Sequence, residues 1–297
     1  MTTIAFIGFG EAGGLLVKGL RDSGANVVAA YDILIESNEK ASVLRDKAAA
    51  HGIVAAGSAE EAVAGADVIV SAVVSSETVK AAKAAAPHLR EGQIYMDMNS
   101  SSPAIKREAA ALVEKNGADF VESAVMDLVP PHGHKVPMLL AGKKAAALVD
   151  ILSPYGMDVT AIGETIGNAS SVKMVRSVFM KGFTAILLES LYAARQLDAE
   201  DHVLDSLQVT FPEIDWKKLA DYYASLLIKH ARRQGIEMHS VAETLKELGV
   251  DTWTVDASAA RLGWLADMEL DEKLDRLPEK YGEFLDILKQ HDPKQHG

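Results

Sequence analysis

The 297-residue sequence predicts a doubly wound, mainly parallel α/β domain over residues 1–162, followed by an all-α domain over residues 163–297. Three observations carry this reading. Short apolar runs of β type alternate with alanine-rich helical stretches through the first half, the sequence form of repeated βαβ units. A glycine pattern, "GFGEAGG", stands between the first such run and the first helical stretch. From Gly167 onward the β signal disappears and helical periodicity takes over.

Taken in order, the expected strands are "TIAFIG", "NVVAAYD", "DVIVSAV", "QIYMDM", "DFVESAV", "VPMLLAG" and "DVTAI". Helical candidates between them cover residues 13–23, 36–50, 76–86 and 103–116. The last has Ser102 as N-cap and Pro103 at the first helical position, where a missing N–H costs nothing. In the second half a long apolar stretch runs to Leu197, and "WKKLADYYASLLIKHARRQ", "IEMHSVAETLKEL" and "VDASAARLGWLADM" follow as separate helices. "DHVLDSLQVTFPEIDW" contains Pro212 and must bend or break there. The polar tail "KQHDPKQHG" is expected to fray.

Composition excludes several functions. With no cysteine, the chain has no disulfide framework, thiolate metal site or cysteine nucleophile. A net charge of -12 argues against a nucleic-acid partner, which requires a concentrated basic face. The N-terminus lacks a basic lead-in and a cleavage site, and no window holds ~18 uninterrupted apolar residues. A cytoplasmic protein with no membrane partner is the expectation.

"GFGEAGG" matches G-x-G-x-x-G at Gly8, Gly10 and Gly13, after an apolar run and before an amphipathic stretch. Gly8 allows the tight turn, Gly10 the approach of a pyrophosphate, and Gly13 the packing of helix on strand. With Phe9, Glu11 and Ala12 they form a Rossmann-like phosphate loop, whose helix N-terminus offers unpaired N–H groups to phosphate. Asp32, 22 positions after Gly10, is placed to bind ribose hydroxyls and to repel a 2′-phosphate, so NAD is favoured over NADP. Capping of its own turn is the alternative role. "SAVVSSETV" and "MDMNSSSP" leave their strands toward the same crevice, bringing Val73, Val74, Ser75, Asn99 and Ser100 to the nicotinamide ribose.

These residues resemble the β-hydroxyacid dehydrogenase family, which includes 3-hydroxyisobutyrate and 6-phosphogluconate dehydrogenases. The resemblance runs from "IAFIGFGEAGGLLVKGL" through "YMDMNSSSP" and "LLAG" to "IGNASSVKMVRS". It implies a catalytic lysine on the helix that enters the second domain, and Gly167 and Lys173 match that pattern. Ala169 stands where the family usually has a second glycine. Arg176 and Ser177 replace an asparagine pair, and Met126 and Asp127 fill the serine and glycine places of the substrate loop. The family's usual Lys-Asp pair has no recognisable counterpart in "KHARRQGIEMHSVAETL". The resemblance also implies a homodimer through the helical domain, in keeping with its surplus of apolar residues.

Lys173 is therefore the expected acid/base, taking a hydroxyl proton as an amine or steadying an oxyanion as a cation. A lysine whose stem merely covers apolar surface is the bland alternative. Arg176, one turn on, could grip a substrate carboxylate, which makes a small anionic substrate the expectation, although a salt bridge to an acid such as Asp127 explains it equally well. Met126, Asp127, Ser177, His230 and Arg233 complete the substrate-site candidates. His230, Arg233 and Glu237 share one helical face by spacing, although a solvated charged face has the same pattern. No metal site is expected: His132 and His134 of "PPHGHKVP" lack an accompanying acid cluster, and that loop is read as a mobile cleft rim. Alternatives to a dehydrogenase are an imine reductase, against which the lysine argues, and a non-catalytic dinucleotide sensor, which the altered substrate loop favours.

Overall fold

The computed structural model describes residues 2–37 and 39–293. Its first compact unit ends at Lys173 and its second begins at Met174. The division thus falls inside a helix that the expected boundary at 162/163 precedes. The tail expected to fray lies mostly outside the described residues.

In chain order the first unit comprises β1 (Thr3–Ile7), α1 (Glu11–Asp22), β2 (Asn26–Tyr31), α2 (Ala41–Ala50), β3 (Val54–Ala55), α3 (Ala59–Val63), β4 (Val68–Ser71) and α4 (Thr78–Ala85). It continues with β5 (Ile94–Asp97), α5 (Pro103–Glu114), β6 (Asp119–Val125), α6 (Val129–His132), β7 (Met138–Ala141), α7 (Ala145–Leu152) and β8 (Val159–Ala161). Among the described residues these strands form one eight-stranded sheet in the order β3-β2-β1-β4-β5-β6-β7-β8. All pairings are parallel except β6 with β7.

Burial on both faces explains the near-continuous apolar strands. In β1, Ile4 and Phe6 point into a core shared with Leu16, Val17 and Leu20 of α1. Ala5 and Ile7 point into the opposite core, with Ala82 and Ala85 of α4 and Ala109, Ala110 and Val113 of α5. The expected helices at 103–116 and 13–23 are present. Ser102 Oγ accepts from Ile105 N at 3.5 Å with Pro103 at the first position. Three short or alanine-rich elements, β3, α3 and α7, have too little pattern to stand out in the sequence.

α8 (Asn168–Arg195) leads into the second unit, which continues with α9 (Glu200–Thr210), α10 (Trp216–Glu247), α11 (Trp253–Ala266), α12 (Leu270–Lys273) and α13 (Tyr281–His291). α9 ends just before Pro212, as expected. The two helices expected over residues 216–248 are instead one helix, a correction with a packing cause. Gly235 at the supposed junction faces α11, where an added Cβ would lie 3.8 Å from Leu262 Cβ. Close contact between α10 and α11 offsets the roughly 1 kcal/mol that a mid-helix glycine costs. The core of this unit contains Leu187, Leu188 and Leu191 of α8, Leu227 and Val241 of α10, Leu262 of α11 and Phe284 of α13. By length and composition alone α8 could cross a membrane, yet these leucines are used in the unit's own core.

Candidate active site

The chain reverses its direction of sheet growth at β1: β2 and β3 lie on one side, β4 on the other. Such a switch point opens a crevice beyond the strand ends, and the glycine loop lies there. Gly8 has φ +94°, and a Cβ on it would collide with the Ala72 carbonyl. A Cβ on Gly13 would collide with the Gly8 carbonyl. Both glycines are thus required by the protein's own backbone. Gly10 differs: no atom lies within 4 Å of its hypothetical Cβ. It also stands at the N-cap of α1, with no side-chain cap on the helix N–H groups. An open cradle and uncapped N–H groups fit a pyrophosphate.

Within the loop, Phe9 is buried in the core and its N–H donates to Asp32 Oδ2 at 2.8 Å. Asp32 Oδ1 accepts from Leu34 N at 3.0 Å. Asp32 therefore caps its own turn and also ties that turn to the glycine loop. Glu11 and Ala12 form the first turn of α1. A residue absent from the sequence reading, Lys47 of α2, donates to Phe9 O and Gly10 O, each at 2.7 Å. Its ammonium lies 4.3 Å from the Phe9 ring centroid. Burial holds Lys47 below the usual lysine range, with Asp32 opposing the shift. No motif spacing could have revealed it, because the contact spans 38 residues.

The loops after β4 and β5 are joined through Asn99. Its Oδ1 accepts from Val73 N at 2.7 Å, and its Nδ2 donates to Ser71 Oγ at 3.0 Å. Ser101 Oγ lies 2.6 Å from Thr78 Oγ1 and 3.4 Å from Ser75 Oγ, while Val74 is exposed. Beneath them Asp97 and Lys106 form a buried ion pair at 2.6 Å. Asp97 Oδ1 also accepts from Asn99 N at 2.9 Å. At the rim Lys173 Nζ donates to Ser100 Oγ at 3.1 Å, so the expected acid/base meets the expected ribose loop.

The departures in the substrate loop have a packing counterpart. Met126 packs against the small cluster of Ala124, Ala141 and Ala169, so the methionine in the serine place and the alanine in the glycine place belong to one apolar patch. Asp127 is 54% exposed, accepts from Leu128 N at 2.7 Å and lies 3.4 Å from His132 Nε2. The reading of 130–137 as a mobile rim loop needs correction at His134, which is buried. Its Nε2 lies 3.1 Å from both Ser23 Oγ and Tyr155 O, anchoring the segment beside α1.

Arg176, Ser177, His230 and Arg233 belong to the second unit. Arg176 and Ser177 follow Lys173 on α8 by about one turn. On α10 Arg233 pairs with Glu237 at 3.2 Å, and Lys181 reaches the same carboxylate at 2.7 Å. The three-residue face is thus ion-paired through its acid. Burial, with Arg233 and Lys229 nearby, lowers the His230 pKa.

Residues 3–163 match the family model described as the NAD binding domain of 6-phosphogluconate dehydrogenase. The chain belongs to this family. Residues 194–265 match a domain of unknown function, DUF1932. A conserved hypothetical protein from Sinorhizobium meliloti 1021 is 38% identical, with TM-score 0.83 over 98% of this chain and 97% of that one. A 3-hydroxyisobutyrate dehydrogenase of Mycobacterium tuberculosis, solved with L-serine, shares the fold at 17% identity and TM-score 0.72, covering 97% and 99% of the two chains. An imine reductase of Aspergillus terreus, solved with NADPH4 and dibenz[c,e]azepine, shares it at 16% identity and TM-score 0.60, covering 97% and 99%. The first unit of this family member is accordingly an NAD-binding Rossmann domain.

Proposed function

We propose that the protein is an NAD-preferring dehydrogenase that oxidises the CH–OH group of a small 3-hydroxy acid, or reduces the corresponding oxo acid, with Lys173 as acid/base. The contact of Lys173 Nζ with Ser100 Oγ at 3.1 Å carries this reading. It joins a proton-transferring group to a loop that leaves the same sheet edge as the glycine turn. Gly8, Gly10, Gly13, Glu11 and Ala12 would hold the pyrophosphate, Asp32 the adenosine ribose, and Val73, Val74, Ser75, Asn99 and Ser100 the nicotinamide ribose. Bound NAD supplies the hydride acceptor. Asp32 uses one hydrogen bond on each carboxylate oxygen, which leaves acceptor capacity for ribose hydroxyls.

In the oxidative direction Lys173 as a neutral amine accepts the hydroxyl proton, while in the reverse direction its ammonium returns a proton to the carbonyl oxygen. Arg176, about one turn later on α8, offers a guanidinium to a substrate carboxylate. Two other readings have some support: the altered loop at Met126 and Asp127 fits a dinucleotide sensor, and the shared imine reductase fold fits C=N reduction. The retained lysine favours alcohol chemistry. Exposed Phe179, Ile186 and Trp253 support a homodimer through the helical unit, which sedimentation equilibrium tests.

A panel of hydroxy acids, oxo acids, amino alcohols and imines, assayed with NADH or NADPH and their oxidised forms, tests the reaction class. Turnover of a hydroxy or oxo acid is expected. Turnover of imines alone replaces this reading, and tight NADH binding without any turnover favours the sensor.

A further inference from the structure

Two carboxylates lie fully buried on neighbouring strands in direct register: Asp97 of β5 is the Cα partner of Glu122 of β6. Each serves a different half of the serine–lysine contact. Asp97 Oδ1 accepts from Asn99 N at 2.9 Å and from Lys106 Nζ at 2.6 Å, fixing the turn that presents Ser100. Glu122 Oε1 accepts from Gly167 N at 2.7 Å and Ala169 N at 2.8 Å, while Oε2 accepts from Ser170 Oγ at 2.8 Å. Three donors from Gly167 and the first turn of α8 thus converge on one side chain, and Lys173 lies one turn beyond Ser170. Gly167 makes the convergence possible. Its φ is +105°, which L side chains rarely adopt, and a Cβ there would lie 2.9 Å from Arg107 Nη1.

A buried carboxylate is costly unless it is paired or hydrogen-bonded. Glu122 uses both oxygens, whereas Asp97 relies on its ion pair with Lys106, its Oδ2 having no hydrogen-bond partner. The usual helix cap is a local Ser, Thr, Asp or Asn. Glu122 caps α8 from 45 residues away. A remote cap of this kind ties the helix to the sheet, which a local cap cannot do. We infer that Glu122 and Asp97 are a pair of positioning residues that set Lys173 against Ser100 through the register of β5 and β6. This rests on the proposed role of Lys173 and extends it to groups that touch neither substrate nor cofactor.

Pulse acetylation of the full-length protein with acetic anhydride at pH 8, in the presence of NADH, tests the inference without requiring turnover. Peptide mass spectrometry then gives the labelling rate of Lys173. Glu122→Gln keeps the side-chain volume but removes the charge and the acceptor for Ser170 Oγ. It is expected to speed Lys173 labelling roughly tenfold, since a helix start no longer held by Glu122 loosens the Ser100 hydrogen bond that restrains the amine. Ser170→Ala should give a smaller rise in the same direction, and Asp97→Asn a rise through the Ser100 side. Adding Ser100→Ala to Glu122→Gln should add little, because both act on one contact. Buried Lys106 must stay protected in Glu122→Gln and Ser170→Ala; equal acceleration there would mean general loosening and would overturn the inference. Wild-type labelling of Lys173 in folded, NADH-binding Glu122→Gln overturns it too. If that variant does not fold, Ser170→Ala decides by the same criteria. Turnover retained in Lys173→Ala would instead defeat the proposed function while leaving the labelling result intact.

Discussion

Particular glycines in the two units have different causes. In the Rossmann unit Gly8 and Gly13 are imposed by backbone contacts, whereas Gly10 faces open space at the start of α1, where the proposed dinucleotide would lie. In the helical unit Gly235 faces α11 at ordinary van der Waals distance, so packing explains it and no ligand is needed. A glycine thus marks chemistry only where the protein itself leaves room. Some acids of the two units also differ in their surroundings. Buried acids of the first unit, Asp97 and Glu122, organise strand ends and a helix start. Acids of the second, such as Glu237 and Asp201, pair with Lys181, Arg233, Lys217 and Tyr281.

Four substitutions break or sharpen this contrast. The largest effect is expected for Lys173→Ala, with turnover falling about 10²- to 10⁴-fold and the NADH Kd unchanged. Gly10→Ala should leave the thermal midpoint unchanged but weaken NADH at least about tenfold, roughly 1.4 kcal/mol, by fluorescence titration. Equal NADH affinity in that variant would remove the ligand explanation of Gly10. Gly235→Ala should stabilise the protein by up to about 1 kcal/mol in urea unfolding, because the new methyl meets Leu262 Cβ at 3.8 Å without collision. Destabilisation would show that α10 and α11 are packed more tightly than this distance implies.

The smallest effect concerns Tyr281, which donates to Asp201 at 2.6 Å and joins α13 to α9. Burial and the Asp201 carboxylate raise its hydroxyl pKa to about 12. A pKa raised on folding gives stability that is present below the ordinary tyrosine value of about 10 and lost as pH climbs toward 12. For so exposed a pair the contribution is about 0.5 kcal/mol. Tyr281→Phe should remove this alkaline loss, and an unaltered stability profile between pH 10 and 12 would exclude the bond's role.

Much of the first unit was legible because its elements obey short-range rules. Each expected strand has its counterpart, and Ser102 and Pro103 start α5 as the sequence predicts. The glycine loop was legible through its spacing together with the apolar run before it and the amphipathic stretch after it. The groups that complete the site were not: Lys47, Lys106 and Glu122 act over long sequence separations, or from the interior of helices and strands where composition carries no sign of them. Lys106 lies in an amphipathic helix, and only the fold reveals that it is buried against Asp97. In the helical unit periodicity showed helices but not their continuity, since Gly235 signals a break in sequence and a close contact in structure.

In the proposed function one unit holds both the dinucleotide and the proton-transferring lysine. Parallel titration of wild type and Lys173→Ala with NADH, followed by nicotinamide absorbance with the hydroxy-acid panel, tests it most directly. Equal NADH affinity in both proteins and turnover in wild type alone are expected. Near-normal turnover in Lys173→Ala would contradict it.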